Sequence, residues 1–231
     1  MVSTAKVFRL AEDTDLGFIA RKLRDFREEE PYESMDHEQK MLIKEVTDLE
    51  SEDDTLTGLY TKDTLVSIYH RDGEIEVPKT QETRLVFQEK KGEIFLTILA
   101  DKPKANRIAN ELSEVIFLSA GKVVEAKIAE ETLKELHESN PRATKVLYFD
   151  NVDKPDVGKL ALYGPSVADS SLYQEYLDHG KIWYAVFEVE EKGITVGVTR
   201  NSVTVLFSKL ESSEFIDFVK EEIIPLVSLE E

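Results

Sequence analysis

Apolar residues recur at every second position on both sides of a short polar break in two stretches of the chain. These are RLVFQEKKGEIFLTILA at 84–100 and GITVGVTRNSVTVLFSK at 193–209. A period of two marks a strand with one buried face, and the break between two such runs marks a turn, so each stretch predicts a β-hairpin. At a constant offset of 109 residues, Leu85 and Phe87 fall on Ile194 and Val196, while Ile94, Leu96 and Ile98 fall on Val203, Val205 and Phe207. Lys91 and Gly92 fall on Arg200 and Asn201, and Gly and Asn most readily take the left-handed backbone of a tight turn. Each stretch is followed by a segment of helical period. The pattern therefore predicts a two-fold β-hairpin–helix repeat, each copy covering one sheet face with its helix.

The remaining segments fill in an α+β fold, predominantly antiparallel sheet with packed helices. AKVFRL reads as a strand, and DTDLGFIARKLRDFREEEP reads as one helix. Asp15 is its expected N-cap, Leu16, Ile19, Leu23 and Phe26 its buried stripe, Arg21, Arg24 and Arg27 its opposite face, and Pro31 its exit. Asp72-Gly73 is a strong hairpin signal. Asp101 should cap a helix with Pro103 in its first turn and Ile108, Leu112, Val115 and Ile116 inside. A shift in composition at SAGK, 119–122, divides the chain into an N-terminal α+β unit, 1–120, and a C-terminal unit, 121–231, that ends in a β-meander and a helix.

The 231 residues include no cysteine, which removes thiolate nucleophiles, cysteine-ligated zinc and disulfides, and fits a cytoplasmic protein. The start, MVSTAKVFRLAEDTD, has no signal-peptide or transit pattern, and no apolar run approaches a bilayer span, so no membrane association is expected. Many Glu and Lys residues without cysteine also match the composition of thermophile proteins. The formal net charge is −18, and thirteen acidic residues face three basic ones between Asp25 and Asp54. Such a segment repels nucleic acid and anionic lipid and attracts basic surfaces.

Sites of chemistry are sparse. No glycine-rich phosphate loop, no GxSxG elbow and no His pair at helical spacing occurs, so no cofactor is expected. His137 and His179 fall at predicted helix ends, where exposed imidazoles complement the helix dipole. In KIWYAVFEV, alternation sends the adjacent aromatics Trp183 and Tyr184 to opposite faces. The leading expectation is a non-enzymatic binding or regulatory protein whose acidic segment, through Glu28, Glu29, Glu30, Glu33 and Asp36, engages a basic protein or ribonucleoprotein surface. One alternative is a nucleic-acid or nucleotide binder that uses basic hairpin tips at Lys90, Lys91 and Arg200. Another is a metal-dependent hydrolase built on Asp150, Asp153 and Asp156, carboxylates clustered after a predicted strand. Exposed sheet edges would also allow a homodimer.

Overall fold

The computed structural model describes residues 3–34, 38–71, 73–139, 143–164, 167 and 170–228, the side chains of residues 139 and 190 excepted. The chain divides into two compact units, one of residues 10–99 with 107–124, the other of residues 1–9, 100–106 and 125–231. Both are α+β with antiparallel pairing throughout. Among the described residues no helix is long and apolar enough to cross a membrane.

The unit of residues 10–99 and 107–124 starts with helix α1 (Leu16–Arg24). Asp15 caps it by accepting from the Phe18 N–H at 2.7 Å, and Leu16, Ile19 and Leu23 are buried, as the periodicity predicts. The helix stops at Arg24, seven residues before the expected exit at Pro31. Arg27–Glu33 instead forms strand β2, paired along its whole length with β3 (Gln39–Glu52) from Arg27↔Glu45 to Glu33↔Gln39. Arg27 therefore does not continue the Arg21–Arg24 face. Pro31 is tolerated because β2 ends the strand order β2-β3-β4-β5-β6, where an edge strand can do without one N–H.

Strands β4 (Thr55–His70) and β5 (Gly73–Lys90) are long, and β6 (Glu93–Ile98) closes the unit's order. Lys90↔Glu93 ends a two-residue turn in which Lys91 and Gly92 both have positive φ, 55° and 79°, as a type I′ turn requires. Asp72 lies outside the described residues, and Gly73 has φ 133°. β3 pairs with β4 only as far as Lys44↔Lys62, so beyond that point β4 and β5 continue as a two-stranded ribbon. Cross-strand pairs Val66↔Val77 and Ile68↔Ile75 put four aliphatic side chains on one face of the ribbon.

Helix α2 (Lys102–Phe117) is capped where expected, with Lys104 N–H donating to Asp101 Oδ1 at 2.9 Å, and Ile108, Leu112 and Ile116 are buried. Its residues from Arg107 onward belong to this unit and bring Glu111 against β4. The Tyr60 hydroxyl, on a side chain only 2% exposed, donates to Glu111, and Lys62 Nζ donates to the same carboxylate at 3.3 Å. Lys44 Nζ lies 3.6 Å from Glu111. Burial works against ionisation of Glu111, yet the Tyr60 hydroxyl and the two ammoniums hold it below the usual carboxylate range.

In the other unit the strand order is β1-β12-β11-β10-β8-β9. These strands are β1 (Ser3–Leu10), β8 (Thr144–Asp150), β9 (Leu160–Tyr163), β10 (Lys181–Val189), β11 (Ile194–Thr199) and β12 (Val203–Leu206); the short β7 (Val123–Glu125) precedes helix α3 (Glu130–Ser139). Helix α4 (Ser171–His179) is capped by Ser170, and α5 (Ser212–Phe218) runs on into a π-helical turn at Val219–Ile223. The repeat is not confirmed. At an offset of 109 Ile194 would pair with Phe207, whereas Val196 pairs with Leu206 and Val198 with Thr204, a register one residue away. The loop is one residue longer than Lys91-Gly92: Ser202 N–H donates to Thr199 O at 3.0 Å, and Ser202, not Asn201, carries the positive φ of 52°. A three-residue loop ending in a left-handed residue is the next commonest hairpin connection. One slipped residue exchanges the two faces, so Leu206 is buried and Phe207 is 51% exposed.

His137 also departs from expectation. It sits in the last turn of α3 but is buried, edge-on to Tyr173 at 4.8 Å, and neither ring nitrogen has a hydrogen-bond partner among the described residues. Burial pushes its pKa below the usual 6.5. As pH falls through about 6.5 the unfolded chain takes up the proton first, so His137 should make the protein lose stability on acidification. A His137→Leu variant, which removes an unsatisfied buried polar ring, is expected to gain about 1 kcal/mol. Urea denaturation between pH 5 and 8 checks both effects, because the gain should widen as pH falls.

Candidate functional site

The acidic segment forms the open end of the β2–β6 sheet. Along β2 adjacent side chains point to opposite faces, so Glu28 and Glu30 lie on one side and Glu29 and Glu33 on the other, all exposed. Part of this charge is internally matched: Lys44 Nζ lies 2.5 Å from Glu28, and Arg27 pairs with Glu29 at 2.7 Å and with Glu45 at 2.5 Å. Glu30 has no ion-pair partner among the described residues, and Asp36 lies outside them. The exposed Leu65, Ile68 and Tyr69 of the ribbon, at 37%, 47% and 83%, belong to the same unit.

Of the two expected basic tips, Lys91 stands at the β5–β6 turn, with Lys90 half-buried before it. Arg200, at the β11–β12 turn, is folded back, and its side chain, 28% exposed, donates to Asp150 Oδ2 at 2.5 Å. Asp153 instead pairs with His179, whose Nδ1 lies 2.7 Å from its Oδ1, and Asp156 is exposed in a loop with φ 63°. Among the described residues no three carboxylates or histidines are grouped to hold a metal ion. Two residues drawn from different alternatives, Arg200 and Asp150, thus form one pair.

That pair lies in a cleft of about 230 Å³ at one end of the β8-β10-β11-β12 strands, where Lys102, Trp183 and Asn201 also line the wall. Trp183 reaches it through a β-bulge. The β10–β8 register shifts between Ile182↔Phe149 and Tyr184↔Tyr148, which leaves Trp183 as the extra residue. A bulge suspends alternation, so Trp183 and Tyr184 come together, ring centroids 5.7 Å apart, with Tyr148 within 6 Å of both. Arg200 N–H donates to Trp183 O at 2.9 Å and fixes the turn against the bulge.

Behind the cleft lies a polar network with no obvious sequence signal. Lys6 on β1 is 0% exposed, and its ammonium donates to Glu125 and to Asn106. Asn201 Nδ2 donates to the other Glu125 oxygen at 3.0 Å, tying the network to the cleft wall. Burial lowers the Lys6 pKa, an effect that the Glu125 hydrogen bond and charge only partly offset. Burial likewise opposes the charge on Glu125, but the Lys6 hydrogen bond and charge win and hold it below the usual carboxylate range. A lysine inside AKVFRL, flanked by apolar residues on a strand, was the one available hint. Compared with protein-family models and with curated protein sequences, the chain matches none.

Proposed function

We propose that the protein is a non-enzymatic binding or regulatory protein that engages a basic protein or ribonucleoprotein surface through the β2 edge. The observation that supports this reading is the exposure of Glu28, Glu29, Glu30 and Glu33 on both faces of a terminal strand. Carboxylates placed there act on a partner arriving from either side. They accelerate encounter and set register, while the backbone edge and the apolar ribbon supply short-range contact.

Poly-L-lysine serves as the basic probe, titrated calorimetrically at several salt concentrations. Neutralising Glu28, Glu29, Glu30, Glu33 and Asp36 to Gln or Asn should weaken binding about tenfold and flatten its salt dependence. The control variant neutralises five carboxylates exposed elsewhere, Glu131, Glu135, Glu191, Asp217 and Glu222, and has the same net charge. It should bind nearly as the parent does. An equal loss in the two variants would show that total charge alone drives the interaction and would overturn the reading.

A further inference from the structure

We propose that the cleft at the Trp183 bulge binds a small organic anion, a carboxylate or phosphate that carries a hydroxyl or amine group within reach of Asp150. Its polar atoms are mostly donors. The Arg200 guanidinium makes one side-chain hydrogen bond among the described residues, to Asp150, although the group carries five N–H donors. Lys102 is exposed at the start of α2, and its ammonium makes no ion pair or hydrogen bond among them, although its charge acts on Glu125 and Lys6 nearby. The Thr199 hydroxyl, also in the wall, accepts from Val203 N–H at 3.1 Å and keeps its own proton to donate. Two cations against one carboxylate give this wall a local positive balance within a chain of net charge −18.

Two buried atoms of the lining residues complete the specification. Trp183 Nε1, a donor only, and Asp150 Oδ1, an acceptor only while ionised, have no hydrogen-bond partner among the described residues. Buried polar atoms left unpaired are uncommon in folded proteins, and each calls for a complementary group. An anionic oxygen answers Arg200 and Lys102 at the cleft surface, and a ligand that displaces the side chains covering Trp183 Nε1 and Asp150 Oδ1 answers these with an acceptor and a hydroxyl or amine. At about 230 Å³ the cleft admits one small molecule. The Lys6–Glu125–Asn201 network holds the floor in place, and the bulge aims the indole into the wall. This inference is independent of the acidic edge on β2.

Trp183 is the only tryptophan of the chain, so its emission reports on this cleft directly. The intact protein is titrated with L-lactate as the carboxylate probe and glycerol 3-phosphate as the phosphate probe, with sodium chloride at matched ionic strength as the control. A saturable change in emission with at least one probe, with Kd of about 1 mM or tighter and none with chloride, is the expected result. Which probe saturates decides between carboxylate and phosphate. Lys102→Gln, at an exposed position that leaves the fold intact by its unchanged Tm, should weaken that binding about tenfold. Arg200→Lys, which keeps the charge beside Asp150 but loses the planar fork, should weaken it as well. No saturable response to either probe, or equal binding by the parent and Lys102→Gln, overturns the proposal.

Discussion

Glu125→Leu should destabilise the protein by about 3–5 kcal/mol, the cost of leaving a buried charge without its counterion. Lys6 has no exposed side-chain surface, and after the substitution its ammonium keeps Asn106 as its hydrogen-bond partner among the described residues and the Phe8 ring, 4.9 Å away, but no counterion. The pH dependence identifies the cause. The folded-state pKa of Lys6 already lies below the usual lysine value, so the unfolded chain holds this proton more tightly and stability rises with pH through that window. Without Glu125 the folded pKa falls further, and the variant should recover part of its loss between neutral and mildly alkaline pH. A Lys6→Met/Glu125→Leu double variant removes both charges and should regain most of the stability, since apolar replacement of a buried pair is often neutral. Urea denaturation of the parent and the two variants checks this, and a double variant no more stable than the single one would assign the loss to packing instead.

The second large effect is expected at Glu111. Glu111→Ala leaves the buried Tyr60 hydroxyl without its acceptor and removes the carboxylate shared by Lys44 and Lys62, a loss of about 2–3 kcal/mol. Because the folded pKa of Glu111 is depressed, its contribution is complete above the usual glutamate value of about 4.3 and disappears as pH falls through the lower folded value. The parent should therefore lose stability across that acid window, and the variant should lose less. Tyr60→Phe and the double variant complete a cycle whose coupling should exceed about 0.5 kcal/mol. Strict additivity would mean that the hydroxyl–carboxylate contact adds nothing beyond packing.

Local signals carried the elements with their own chemistry. Asp15 and Asp101 cap the helices they were expected to cap, and Lys91-Gly92 makes the turn its residue types favour. Failures came where a partner distant in sequence decides. Residues 27–33 are polar on both faces, so nothing local separates an edge strand from a helix tail, and pairing with β3 settles the matter. The one-residue difference in register lies in loop length, which offset matching of apolar residues does not sense, and the bulge at Trp183 is specified by its β8 neighbour rather than by KIWYAVFEV itself. The candidate cleft was legible only in fragments. Arg200 and Asp150 stood out separately, fifty residues apart, while Lys6 and Glu125 lie 119 apart and gain meaning only when the sheet brings them together.

The ribbon of β4 and β5 has a consequence for how the sequence is free to vary. Up to Lys62 on β4 and from Leu85 on β5 the two strands are held by neighbours, and substitutions there are answerable to the core. Between those points the backbone ladder joins the two strands to each other alone, and the Ile43 N–H, which donates to Asp63 Oδ2 at 2.9 Å, links them outward, so the pairs Val66–Val77 and Ile68–Ile75 are free to change together with little effect on the core. The same pair of strands is thus anchored at one end and self-supporting at the other, so a substitution of given size should cost less stability in the ribbon than in the sheet.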